Sequence, residues 1–212
     1  MVRQDHWGCL ILDRASRLVL AYQGGPLDEV LLTRTIRQAV ARLGGRACQW
    51  CSDGWHAYGA ILRALYRQRH FTGKPGRPGW VLPDGLALTQ VVKVHDERGR
   101  VTGVELQAVI GPLIADATCA HVERLHGGLR DHLACLTRRT HAFAKTQRTW
   151  QAAVGLAVFG HNWLRVHPSL RQPSEAEPGR RYRQRTPAMA AGLTDHVWSW
   201  HEFLTTPKPV SR

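Results

Sequence analysis

The chain carries 29 Lys and Arg against 16 Asp and Glu, so an acid kept inside a basic stretch is a candidate for chemistry. Three stand out: Asp53, Glu123 and Asp13. Phosphodiester chemistry needs the attacking and leaving oxygens in line and their charge neutralised. Two divalent ions about 3.5–4 Å apart do this when a few carboxylates hold them, because Mg²⁺ is a hard cation that prefers oxygen ligands. Asp53, in C-S-D-G-W-H, closes a short apolar strand and precedes Gly54 and a helix. The C-terminal edge of a strand is where α/β sheets place ligands. The competing use of such an Asp is a helix N-cap. Glu123 lies in A-H-V-E-R-L-H-G-G-L-R-D-H-L (120–133), which reads as one helix, with Gly127 and Arg130 on the same face. Its competing use is an exposed glutamate stabilised by neighbouring cations. Asp13 sits in the turn D-R-A-S-R, where Asp is favoured for its own reasons.

The surrounding charge bears on the partner. The whole chain is +13 with a pI near 10.6, the electrostatic footprint of a polyanion binder, and nucleic acid is the commonest polyanion. Residues 121–171 hold eight Lys or Arg (124, 130, 138, 139, 145, 148, 165, 171) and two acids. That is consistent with tracking a phosphate backbone, although a charge run is often only a solvated face. A membrane surface is the rival partner, but no clear basic amphipathic helix or lipidation motif is present. No apolar run of 18 residues exists and the first residues form no signal peptide, so a cytoplasmic protein is expected. Five cysteines without an export signal argue against a disulfide framework. The Cys48-x-x-Cys51 pair lacks a second ligand pair for zinc and ends a strand rather than starting a helix, so ordinary buried cysteines are expected.

These candidates need elements to position them. Residues 7–22 read as a β-hairpin around D-R-A-S-R. Residues 26–43 read as an amphipathic helix with Pro26 in its first turn and Gly44-Gly45 as its stop. A strand over 46–52 leads to Asp53, and a helix follows from Trp55. T-G-K-P-G-R-P-G (72–79) reads as irregular. L-A-L-T-Q-V-V-K-V and V-T-G-V-E-L-Q-A-V-I read as two strands around D-E-R-G-R, and 112–166 as helical in two or three pieces. The eight tryptophans are mostly core, with Trp55 open between core and base stacking. The order predicts an α/β domain with a mixed sheet flanked by helices. The predicted organisation is a core over 1–171, a basic linker over 172–185 and a tail over 186–212 that docks on the core.

S-D-G-W-H-A-Y (52–58), H-V-E-R-L-H-G-G-L-R (121–130) and L-T-R-R-T-H-A-F-A-K (136–145) together resemble transposases of the insertion-sequence-one type. Those belong to the DDE superfamily, whose catalytic domain is RNase H-like. H-N-W-L-R-V-H-P-S-L-R (161–171) followed by T-P-A-M-A-A-G-L (186–193) is similar to their C-terminal pattern. The resemblance covers nearly the whole chain and rests on the order of the pieces. It implies a mobile-element enzyme of a prokaryotic, nucleoid-associated kind. Such an enzyme cuts DNA at transposon ends and joins the 3′-OH to target DNA by transesterification, as a homodimer or larger synaptic assembly. It implies two Mg²⁺ or Mn²⁺ ions held by Asp53, Glu123 and a third carboxylate, with Arg124, Arg130, Arg138, Arg139, Lys145 and Arg165 on DNA phosphates. His121 is either a neighbour of the metals or a helix-surface residue; Asn162, Arg165 and His167 serve structure and DNA contact. The family's first aspartate lies on a strand before the hairpin, in a D-E-x-W-like stretch. The resemblance therefore implies an N-terminally truncated core whose first, central strand is missing. Asp13 is a poor substitute for that aspartate, and Asp5 has no strand around it. The main rival to a transposase is a catalytically inactive remnant that only binds DNA; a host RNase H-type nuclease without strand transfer is a further rival, which the basic helical tail over 136–171 argues against.

Overall fold

The computed structural model describes residues 7–71, 77–137, 141–142, 144–174 and 181–206. Asp5, Arg138 and Arg139 lie outside them. The hairpin forms where the alternating apolar runs predict it. Strands β1 (Trp7–Leu12) and β2 (Val19–Gly25) make a two-stranded sheet. The first helix, α1 (Glu29–Arg42), starts later than expected, because Asp28 caps it by accepting from the Leu31 N–H at 2.7 Å. Pro26 stays outside, and Leu27 and Val30 face solvent; Leu31, Leu32, Thr35, Ile36 and Ala39 form the buried stripe. Gly44 and Gly45 end α1 at positive φ. The Gly45 N–H bonds back to the Val40 carbonyl and the Gly44 N–H to that of Ala41, a Schellman cap.

The central element is a three-stranded mixed sheet, β3 (Gln49–Asp53), β6 (Ala87–His95) and β7 (Val101–Ile110). β3 runs parallel to β6, and β7 antiparallel to it. The chain is thus mixed α/β, with helices flanking a sheet that contains both pairings. Among the described residues no strand pairs with the outer side of β3. Helix α2 (Ala57–Tyr66) covers the sheet face that carries Trp50, Leu88 and Gln90. Gly59 allows this approach, since a Cβ there would stand 2.9 Å from Val109 Cγ1. Two short strands, β4 (Gln68–His70) and β5 (Gly79–Val81), pair antiparallel on either side of the stretch expected to be irregular, of which residues 72–76 lie outside the described residues.

Residues 111–119 are not helical, contrary to the expectation for 112 onward. Gly111, at φ +63, turns the chain under β6, and the Ile114 N–H donates to Thr89 Oγ1 at 2.9 Å. Helix α3 (Ala120–His132) follows, then α4 (Gln147–Phe159), which widens into a π turn at Gly160–Leu164. The stretch expected to be a linker is paired on both sides of residues 175–180, as β8 (Gln172–Pro173) and β9 (Tyr182–Arg183). Two short helices close the chain, α5 (Pro187–Ala190) and α6 (Trp200–Thr205).

The chain divides into two compact units. One is Met1–Ile11 with Gln23–Arg124; the other is Leu12–Tyr22 with Leu125–Arg212. The first has its core between the mixed sheet, α1 and α2. The second is organised by α4. Its buried Trp150, Val154 and Val158 run into Asn162, whose side-chain amide bonds both the N–H and the C=O of Val19. In this second unit Phe159, Trp163, Trp198, Trp200 and Phe203 form one aromatic cluster.

Candidate functional site

Strand alternation decides which side chains meet in the first unit. Asp53 is paired with Val91 across β3 and β6, so Cys51, Asp53, Val91 and Lys93 share one face of the sheet. Thr89 on that same face anchors Ile114, and Ala87, Ile114 and Ala117 pack there with Cys51, Val91 and Leu106. This packing delivers Cys119 and the start of α3 to the end of the sheet. Glu123 stands one turn beyond Cys119 and donates its backbone N–H to the Cys119 carbonyl at 3.0 Å. From β6, Lys93 Nζ reaches Glu123 Oε1 at 3.4 Å.

Asp53 is the last residue of β3 and is exposed. Its Oδ1 accepts from the Trp55 N–H at 3.2 Å. The helix-capping use is excluded, because α2 is capped at His56 without any side-chain bond. Trp55 is half-buried, sits edge-on to Tyr58, and accepts from Gln90 Nε2 through its carbonyl.

Three neighbours register the negative charge of this corner. Burial, and then the Asp53 carboxylate, hold the Tyr58 hydroxyl protonated far above its usual range. Burial also raises the Cys9 thiol; a hydrogen bond with Thr35 opposes the rise, and Asp53 adds to it. The Cys119 thiol is pushed up to about 11 by burial, then by Asp53, Cys51 and Glu123, with Lys93 pulling the other way. Cys119 therefore lies within electrostatic reach of both carboxylates. The corner holds two acids, one lysine and three groups kept neutral, so it is locally negative in a chain of net charge +13. Burial is the main reason these three groups stay protonated; the carboxylates add to it, and two carboxylates beside one lysine also attract a cation.

The comparisons with known proteins add nothing to this geometry. No family model, no curated protein and no solved structure matches the chain.

The other expected site residues are placed differently. Asp13 belongs to the second unit, and its Oδ2 accepts from both the backbone N–H and the hydroxyl of Ser16. Its carboxylate organises the hairpin turn. Arg124 and Arg130 are exposed on α3, which passes from the first unit to the second after Arg124. Lys145 and Arg165 are exposed in the second unit. Asn162 is structural, as its two bonds to Val19 show, and His161 Nε2 meets the Arg17 carbonyl at 2.9 Å. Among the described residues no group of three or more His, Cys, Asp or Glu is arranged to hold a metal ion, and no helix is long and apolar enough to cross a membrane. All five cysteines are free and half-buried, and the Cys48 sulfur lies 4.0 Å from the Tyr66 hydroxyl.

Sequence reasoning missed Lys93 and Cys119. Lys93 carried a readable signal, an ionisable residue inside a strand at the same parity as Val91. Cys119 carried only its position, four residues before Glu123.

Proposed function

We propose that this chain is a DDE-superfamily transposase of the insertion-sequence-one type, with an RNase H-like catalytic core. It would cut phosphodiester bonds at transposon ends and join the resulting 3′-OH to target DNA. The observation that carries this reading is the shared placement of Asp53 and Glu123. Asp53 ends β3, Glu123 pairs with Lys93 on the same sheet face in the first unit, and both carboxylates act on the same half-buried thiol. Oxygen-only carboxylates at a locally negative corner suit hard divalent cations, so Asp53 and Glu123 are the residues that would hold Mg²⁺ or Mn²⁺. When bound, such ions neutralise the charge on the scissile phosphate.

The chain's own groups have distinct tasks in this reading. In the first step a water oxygen bonds to phosphorus as the P–O3′ bond breaks, and the 3′ oxygen leaves as a hydroxyl. In the second, that hydroxyl attacks a target phosphate and displaces another 3′ oxygen, so bonds are exchanged without a net redox change. Lys93 keeps Glu123 paired and oriented before substrate arrives. Arg124, at the edge of the same unit, and Arg130 farther along α3 contact phosphates. Positioning and charge neutralisation supply most of the rate in such chemistry. A homodimer or larger synapse is the expected assembly.

A second reading is a DNA-binding remnant without catalysis. It is favoured by the Asp13 carboxylate being taken by Ser16, which leaves two of the three carboxylates of the family pattern in place among the described residues. One experiment separates the two: Mg²⁺-dependent cleavage and strand transfer on DNA carrying the element's ends, with Asp53→Ala and Glu123→Ala beside the unaltered chain. Activity lost in both variants supports the transposase. DNA binding with no activity in the unaltered chain supports the remnant. Activity that survives both substitutions removes the site assignment.

A further inference from the structure

Between Asp53 and Asp84 the sequence contains no acid and five bases, Arg63, Arg67, Arg69, Lys74 and Arg77. The β4–β5 ribbon lies within this stretch. All six of its strand residues are exposed, so burial of apolar surface does not account for it, and an isolated two-stranded ribbon is marginal in water. Arg69 is paired across the strands with Trp80, which puts both on one face. Arg67, two residues before Arg69, joins them. The guanidinium carbon of Arg67 lies 4.7 Å from the centre of the Trp80 ring, and that of Arg69 lies 5.3 Å from it. Neither guanidinium forms an ion pair among the described residues. Trp80 is 50% exposed, and Phe71, just beyond β4, is 73% exposed.

Two like charges drawn onto one ring repel each other, and the ring's quadrupole offsets this only in part. An anion between or beside them removes the conflict. The indole limits where each guanidinium lies, and a guanidinium is a planar fork suited to bidentate contact with phosphate. The two guanidinium carbons are no more than about 10 Å apart, while charges along one DNA strand recur about every 3.4 Å of helix axis. A pair within that bound can reach phosphates that lie close together on one strand. A membrane surface fits less well, because the guanidinium groups lie over the aromatic ring that would otherwise insert.

We propose that the β4–β5 ribbon is a DNA-binding arm, in which Arg67 and Arg69, held on Trp80, grip adjacent phosphates of double-stranded DNA. The proposal rests on the DNA-binding part of the function above and not on its chemistry. It adds a contact surface on a different element from α3 and the basic residues after it.

The test is the affinity of the full chain for a labelled DNA duplex, measured by fluorescence anisotropy across a salt series. Arg67→Gln with Arg69→Gln is expected to make the slope of log K against log salt shallower by about two, and to weaken binding roughly 10- to 60-fold at 0.1 M salt. If the double variant does not fold by circular dichroism, each single variant is expected to reduce the slope by about one. An unchanged slope with affinity within twofold overturns the proposal. So does a variant that keeps its duplex affinity but loses binding to single-stranded DNA or to anionic lipid vesicles. Failure of the unaltered chain to bind duplex overturns both this proposal and the proposed function. Loss of binding in the ribbon variant, in a chain that shows no Mg²⁺-dependent cleavage, supports the arm while removing the chemistry.

Discussion

Replacing Asn162 by Ala should destabilise the second unit far more than a typical polar substitution. Asn162 is 7% exposed. Its Oδ1 accepts from the Val19 N–H at 2.9 Å and its Nδ2 donates to the Val19 carbonyl at 3.1 Å. The amide thus stands in for a neighbouring strand. Each bond contributes about 1 kcal/mol net, and a buried backbone group left without a partner costs about 1–3 kcal/mol. Val19 is itself buried, so water does not readily take over. The two effects overlap, and the expected loss is about 2–5 kcal/mol. Urea unfolding followed by circular dichroism measures it, and the midpoint should fall with little change in slope. Asn162→Asp should be equally harmful above neutral pH, since a carboxylate cannot donate to the Val19 carbonyl. A loss below 1 kcal/mol for Asn162→Ala would mean that the two bonds do not hold the hairpin.

The remaining expectations concern other parts of the chain. Gly111→Ala should cost roughly 1–3 kcal/mol or more, because φ is +63 and the new Cβ would meet the Leu86 carbonyl oxygen at 2.5 Å; thermal melting checks it. Glu123→Ala should leave stability within about 1 kcal/mol, because both partners of its ion pair with Lys93 are more than half exposed. Loss of activity in that variant is then not loss of fold. Burial lowers the pKa of His161, so its contribution is intact above the ordinary histidine range and is lost as pH falls through it toward the lowered value. Unfolding between pH 7 and pH 5 should show this, and His161→Gln should flatten the profile. His196 behaves in the opposite sense. Hydrogen bonds with Asp195 and Glu202 raise its pKa, so that interaction is full below the ordinary histidine range and fades as pH rises through the raised value. Asp195 and Glu202 are lowered in turn, which sets the acid limit. Tryptophan fluorescence of the tail cluster should follow this window.

The sequence carried the long elements clearly. Val-rich alternation over 87–110 marked β6 and β7, and the Gly44-Gly45 pair marked the end of α1. The β4–β5 ribbon was not legible, because three-residue strands exposed on both faces leave no apolar period. The run 112–119 looked helical from composition, and only Gly111 at positive φ and the Thr89 anchor redirect it. For the site, Asp53 was legible as the end of a strand. Its Lys93 neighbourhood was not, since parity between β3 and β6 depends on a register that no single strand encodes. Asn162 appeared in the sequence as part of a family-like motif, and its physical use as a surrogate strand emerged only from its distance to Val19.

The π turn after α4 has a geometric consequence. The buried positions Trp150, Val154, Val158 and Asn162 recur every four residues. In a regular helix of 3.6 residues per turn, each such step overshoots a full turn by about 40°, so a fourth member would have rotated well off the face. A wider final turn winds back part of that drift. Gly160–Leu164 acts as a phase correction that keeps the amide in line with three apolar side chains. Deleting one residue from this turn would change no side chain of the stripe, yet it would rotate Asn162 by about 100° and leave Val19 without its partner.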